Sequence, residues 1–232
     1  AQVMALVRDR VFAHTFGVGE TLDVFYAAFR IPDALYVVLA SCVSLFVLIP
    51  FFETAERHGR VAVQRLLSDM FTFFSGTLIV CAVIAYVYTP QLITWLYGGF
   101  DVSMQEALVP VVRVLLLQPL LLGVSNLFAA YVQVRGRFVL YATAPILYNI
   151  GIVLGALLLY PSMGVVGLAW GVVMGATLHL GVQVPYIVRE GVQPRFVWPE
   201  WQRVRTIVLL SLPRTATLSA QQIVLVVLIS LA

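Results

Sequence analysis

The sequence predicts an all-α integral membrane protein, a polytopic bundle of about seven transmembrane spans with the first one shortened. Three observations carry this. Apolar residues fill 61% of the 232 positions and charged ones only 11%, mean hydropathy is +0.98, and arginine crowds every second connection between apolar runs. Crossing a hydrocarbon core takes about 20 mostly apolar residues as helix, and no polar stretch is long enough for a separate soluble domain. A closed barrel would need alternating strands of about ten residues. Unbroken runs such as "VLLLQPLLLG" at 114–123 exclude it.

Taken in order, the run 1–16 carries Arg8, Asp9 and Arg10 close to its start and reads as the second half of a helix. The chain is therefore expected to be a fragment, the more so because the last run simply stops. The run 22–55 holds Asp23, Arg30, Pro32 and Asp33 inside apolar sequence. The run 62–89 leaves the membrane through Tyr86 and Tyr88, with Trp95 and Tyr97 just beyond, as amphipathic rings at an interface do. The runs 105–134, 137–160, 163–188 and 206–232 complete the set. Tyr186, Trp198 and Trp201 mark where the sixth run leaves, and "PRFVWPEWQRVR" at 194–205 mixes rings with arginines as a membrane-surface segment would.

All fourteen basic residues are arginines. Arg57, Arg60 and Arg65, then Arg135 and Arg137, then Arg189, Arg195, Arg203 and Arg205 fall in or beside alternate connections. The intervening ones carry only Glu20, only Asp101, or no charge at Pro161 and Ser162. By the positive-inside rule the arginine-rich connections face the cytoplasm. The formal net charge of +3 is thus a topology signal, and scattered arginines of this kind speak against a nucleic-acid partner.

Enzyme signatures are absent: no G-x-S-x-G, H-E-x-x-H, G-x-x-x-x-G-K-S/T or G-x-G-x-x-G occurs. His14, His58 and His179 are scattered, and Cys42 and Cys81 have no partner at ligand spacing, so neither a metal nor a cofactor is expected. Ser125 has no general base nearby in sequence and reads as a helix-packing serine.

The candidate functional residues lie in the first two runs. Seven residues apart, Asp23 and Arg30 fall on one face of a continuous helix. Arg30 sits about 12 Å in from the outer end at 1.5 Å per residue, a depth at which a charge faces a bundle interior or a water-filled cavity. Pro32 has no amide to give to the carbonyl of Ala28, so a bend or break is expected beside that charge. The competing reading is a local cluster in which Asp23 and Asp33 neutralise Arg30 and hold helices together. Arg8 and Arg10 lie about 200° apart, so one can enter a cavity while the other pairs with Asp9 or packs elsewhere. Arg113 and Arg214, near span ends, read as snorkelling side chains. Gln118, Asn126, Asn149, Gln183, Gln221 and Gln222 are neutral polar groups that could line the same space or bond between helices.

Three stretches carry a family resemblance. "RDRVFAHTFGVGETLDVFYAAFRIPDAL" resembles the first hairpin of the MurJ/MviN lipid II flippases, members of the multidrug/oligosaccharidyl-lipid/polysaccharide exporter superfamily. "RGRFVLYATAPILYNIGIV" and "GLAWGVVMGATLHLGVQVPYIVREG" are similar to that family's fifth and sixth helices. The resemblance implies a two-lobe transporter of which this chain is the amino-terminal lobe. It also implies a cationic cavity and movement of a polyprenyl-linked peptidoglycan precursor from inner to outer leaflet of the bacterial inner membrane. Arg8 matches the family's cavity arginine and Asp23 its cavity aspartate; Arg30 is the expected further cation and Pro32 the hinge. Where the family has a basic pair after the proline step this sequence has Tyr36 and Val37, and the Glu-Gly turn that follows is replaced by Ser41 and Cys42. A flippase for another polyprenyl-linked glycan, a drug exporter of the superfamily and a non-transporting scaffold remain the alternatives.

Overall fold

A computed structural model describes residues 2–17, 19–41 and 45–212. The described chain is all helix, turns and one extended strap, with no strand. In chain order the helices are α1 (Gln2–Phe16), α2 (Glu20–Ala28), α3 (Arg30–Ser41), α4 (Leu45–Arg57), α5 (Arg60–Val87), α6 (Thr89–Leu96), α7 (Val102–Leu115), α8 (Leu117–Val134) and α9 (Phe138–Leu154). A π-helical turn, Gly155–Leu159, leads into α10 (Tyr160–Met163), then α11 (Val165–Gly181) and α12 (Val184–Arg189). Residues 201–212 are again helical.

Four helical stretches among the described residues are long and apolar enough to cross a membrane: Arg60–Val87, Val102–Val134, Phe138–Met163 and Val165–Arg189. They coincide with the third to sixth apolar runs. The first run is the 15-residue α1, the second is divided among α2, α3 and α4, and the seventh lies mostly outside the described residues, as do Arg214, Gln221, Gln222 and Cys42.

The arginine-bearing connections meet at one end of the molecule. Arg135 donates from its two terminal nitrogens to Glu56 (3.0 Å) and to Glu190 (2.8 Å), joining the ends of α4, α8 and α12. Two of these ends close identically. The N–H of Arg137 reaches the carbonyl of Val132 at 3.0 Å and that of Gly136 reaches Gln133 at 2.9 Å. Val192 and Gly191 repeat the pair on Ile187 and Val188 at 3.2 and 2.9 Å. This is the Schellman closure, and it needs a left-handed residue, supplied by Gly136 (φ 68°) and Gly191 (φ 64°).

Beyond Gly191 the chain runs extended along α5. Four residues of helix advance about 6 Å and two of extended chain about 6.6 Å, so polar side chains at 64, 68 and 72 can serve backbone groups at 193, 195 and 197. They do so: Gln64 Oε1 accepts from Gln193 N (2.7 Å), Ser68 Oγ from Arg195 N (3.2 Å) and Thr72 Oγ1 from Val197 N (3.1 Å). The strap ends on fully buried Asp69, which Arg65 (3.3 Å) and Arg203 (2.5 Å) neutralise. The segment expected on the membrane surface is thus anchored to α5 through its backbone, while Phe196 and Trp198 remain exposed.

α9 and α11 form the closest helix pair. Gly151 and Gly155 face Gly171 and Gly175, and a Cβ added at Gly171 would lie 2.5 Å from the Cα of Gly155. Small residues at four-residue spacing let two backbones approach this closely inside a membrane, where packing replaces the hydrophobic effect.

Candidate functional site

Two proline-bearing helical stretches open onto one cavity. α2 ends at Ala28 and α3 begins at Arg30, with Phe29 in a tight turn that bonds back to Tyr26 (3.3 Å). Three residues beyond the turn stands Pro32, which removes the amide that would have continued the ladder to Ala28. α7 and α8 repeat the arrangement within the stretch Val102–Val134: Leu116 stays helical and bonds to Val112 (3.0 Å), and Pro119 three residues on removes the amide that would have met Leu115. These two stretches bring Phe29, Arg30 and Asp33 on one side, and Gln118 on another, to a cavity of about 460 Å³. α1 adds Arg8 and Phe12, α2 adds Phe25 and Tyr26, and α9 adds Tyr148 and Ile152.

The wall is half aromatic floor and half polar. Phe12 meets Phe25 edge to face at 5.6 Å, and Phe25 meets Phe29 at 4.9 Å, which fixes α1 against α2 and the break. Tyr97 was expected in the interfacial belt but is buried instead, donating its hydroxyl to the carbonyl of Ala27 at 2.8 Å. Burial pushes that hydroxyl's pKa up to about 12, against the opposing pull of Arg30. Tyr97 therefore stays a neutral donor and holds the end of α2 in place.

The charges of the wall are Arg8, Arg30 and Asp33. Arg8 donates from Nε and from a terminal nitrogen to Asp9 Oδ1 at 2.9 and 2.8 Å. Asp9 is half exposed, and such a solvated pair is worth little. Arg8 thus does both things that the sequence divided between Arg8 and Arg10; Arg10 is exposed. Asp33, one turn from Arg30, is within its electrostatic reach. Asp23 stands exposed outside the lining, and no ion pair joins it to Arg30 among the described residues. The physical reason is axial distance: seven residues of helix advance about 10 Å, and this segment contributes to the wall only between Phe25 and Asp33, so Asp23 lies past its edge. Pro32 is buried behind the wall.

The remaining polar candidates separate cleanly. Asn126 donates to the Tyr36 hydroxyl and so ties α8 to α3, which gives one of the positions lacking the family's basic pair a bridging role. Asn149 bonds within its own helix to the carbonyl of Pro145 (2.8 Å). Gln183 donates to Ser125 Oγ (2.6 Å), and Ser125 lies 2.7 Å from His179 Nδ1. No local spacing points to a histidine beside Ser125, because the two are 54 positions apart. The cluster joins α8 to α11 around a serine with no exposed surface, as a packing serine would. Of the described neutral candidates Gln118 alone reaches the cavity. Its signal in the sequence was the proline beside it. Arg113 lies over the Tyr86 ring at 4.7 Å, in a separate groove of about 570 Å³ whose other walls are almost wholly apolar.

Two guanidinium groups on different helices, set over an aromatic floor with a carboxylate and an amide nearby, suit an anion that carries further polar groups. Guanidinium forks match phosphate oxygens in a way an ammonium does not.

Comparison with known proteins identifies relatives of the whole chain. The chain is 27% identical over 206 residues to the lipid II flippase MurJ of Burkholderia cenocepacia, covering 84% of this chain and 39% of that protein. It is 27% identical over 228 residues to the probable lipid II flippase MurJ of Vibrio cholerae, covering 90% and 43%. The chain thus spans about two-fifths of the length of these curated relatives. Among solved structures, a lipid II flippase MurJ in an inward closed conformation matches with a TM-score of 0.79 at 19% identity, over 98% of this chain and 48% of that one. A MOP superfamily transporter from Pyrococcus furiosus matches with a TM-score of 0.67 at 14% identity. At those identities the likeness speaks for the fold. A family model described as lipid II flippase MurJ matches residues 12–232, and by that match the chain belongs to the MurJ family of membrane proteins.

Proposed function

We propose that this chain forms one lobe of a flippase that carries a polyprenyl-pyrophosphate glycan, the lipid II class of peptidoglycan precursor, from the inner to the outer leaflet of the bacterial inner membrane. The observation that carries the reading is the pairing of Arg8 and Arg30 across one cavity. A pyrophosphate cannot cross hydrocarbon unaided because its desolvation is too costly. Arginines in a hydrated cavity replace that lost hydration, while the polyprenyl tail stays in lipid. Asp33 keeps Arg30 from being a bare buried cation when the cavity is empty. Alternating access then requires the wall to move against a second lobe, and the proline-bearing stretches at Pro32 and Pro119 are where this lobe yields. In this reading an ion gradient or the membrane potential supplies the energy.

Reconstitution tests this directly. The full-length protein carrying this chain is placed in vesicles with a fluorescent polyprenyl-pyrophosphate disaccharide, and the fraction reaching the opposite leaflet is followed under an imposed potential. Transfer well above protein-free vesicles, lost in Arg8→Ala, is expected. Transfer of a cationic amphiphile in place of the anionic lipid would favour the drug-exporter alternative.

A further inference from the structure

Three buried side-chain amides in the described chain have a carbonyl oxygen without a hydrogen-bond partner: Gln118, Asn149 and Gln183. Asn149 and Gln183 each use their N–H groups within the fold. Gln118 is different. It is 5% exposed, lies in the cavity wall, and makes no hydrogen bond with any described residue. The amide oxygen is the buried atom without a partner, and leaving a buried acceptor unmade costs free energy that a fold avoids unless something else satisfies it. The backbone there is specialised as well. Pro119, next to Gln118, takes one amide out of the ladder of the helical stretch Val102–Val134 and leaves the carbonyl of Leu115 without that donor.

Gln118 is neutral, and it stands on α8 while the cations stand on α1 and α3. It adds nothing to charge recognition. What it offers is a test for an uncharged group able to give and accept hydrogen bonds beside the anion site. We propose that Gln118 is the residue by which the cavity reads the sugar attached to the pyrophosphate, through hydrogen bonds to a hydroxyl or acetamido group. This rests on the reading that Arg8 and Arg30 hold the phosphates of a polyprenyl-linked glycan. A site built to hydrogen-bond a substrate group discriminates against the analogue that lacks it, because its own polar atoms are then left unpaired.

The experiment uses two probes with the full-length protein: undecaprenyl pyrophosphate, and the same lipid bearing an N-acetylated disaccharide. Wild type should bind the glycan-bearing lipid more tightly. Gln118→Leu should weaken the glycan-bearing lipid by about two- to tenfold, the worth of one neutral hydrogen bond, and leave the bare pyrophosphate lipid unchanged. Gln118→Met, unbranched and of similar length, should do the same and guards against a folding defect in the leucine variant. Equal loss for both probes, or no change for either, overturns the assignment of Gln118. Failure of wild type to bind either probe overturns the anion site itself, and binding of both probes that survives Arg8→Ala with Arg30→Ala removes the cations from the reading while Gln118 is still judged by the difference between probes.

Discussion

The α9–α11 pair and the cavity wall are built from the same apolar helical sequence and behave as opposites. Between α9 and α11, glycines at four-residue spacing bring two backbones into contact, and a Cβ at Gly171 has no room at all. Around the cavity, prolines at 32 and 119 interrupt the helices, and the polar groups that result face open space or a partly solvated neighbour. The first region can exist in one arrangement only. The second has prolines within its helices and polar side chains lining a cavity. The proposed transport role uses both, a body that holds its shape and a wall that can answer to a substrate, and this chain separates them by residue type.

The largest effect should come from the rigid side. Gly171→Leu must push the Gly155 backbone away, and overpacking of this kind costs about 3 kcal/mol or more when backbone must move. The protein should fall sharply in membrane abundance and melting temperature. Gly123→Ala meets only the side chains of Phe74 and Leu78 and should lose far less. Equal abundance for Gly171→Leu and wild type would show that the pair is not the framework described.

Next comes the strap. Asp69→Asn leaves Arg65 and Arg203 without their buried carboxylate. A fully buried pair would lose about 3–5 kcal/mol, but both arginines are partly exposed, so about 1–3 kcal/mol is expected. Limited proteolysis between 193 and 200 should speed up by at least about fivefold, the factor that corresponds to about 1 kcal/mol. An unchanged cleavage rate would mean that the ladder of Gln64, Ser68 and Thr72 holds the strap without Asp69.

The smallest stability effect belongs to the flexible side. Pro32→Ala restores an amide opposite Ala28 and should change stability by no more than about 1 kcal/mol, while slowing transport in vesicles. Wild-type transport would make the break at Phe29 incidental.

The sequence made the two regions unequally legible. Charge and proline inside an apolar run are loud, so Arg8, Arg30 and the break beside Pro32 could be read directly. Asp23 lies outside the wall because a shared face says nothing of depth, and seven residues are about 10 Å of helix axis. Gln118 was one of six neutral polar residues, and what singles it out, the lack of any partner, exists only in three dimensions. The glycines at 151, 155, 167, 171 and 175 and the polar series at 64, 68 and 72 show their spacing openly, but only the structure says which element each faces. Tyr97 looked interfacial from its neighbours and is buried because α6 turns it back onto α2.

The central claim is that Arg8 and Arg30 act as ligands of an anion rather than as ties between helices, and it is tested most directly by measuring binding and stability together in one double variant. Arg8→Ala with Arg30→Ala, in the full-length protein, should remain in the membrane at near wild-type abundance, because Arg8 pairs only with half-exposed Asp9. Its affinity for undecaprenyl pyrophosphate should fall by at least about 100-fold, as expected for the loss of two charged hydrogen-bonding groups. Undiminished binding in a stably inserted double variant would contradict the account and leave both arginines as structural charges.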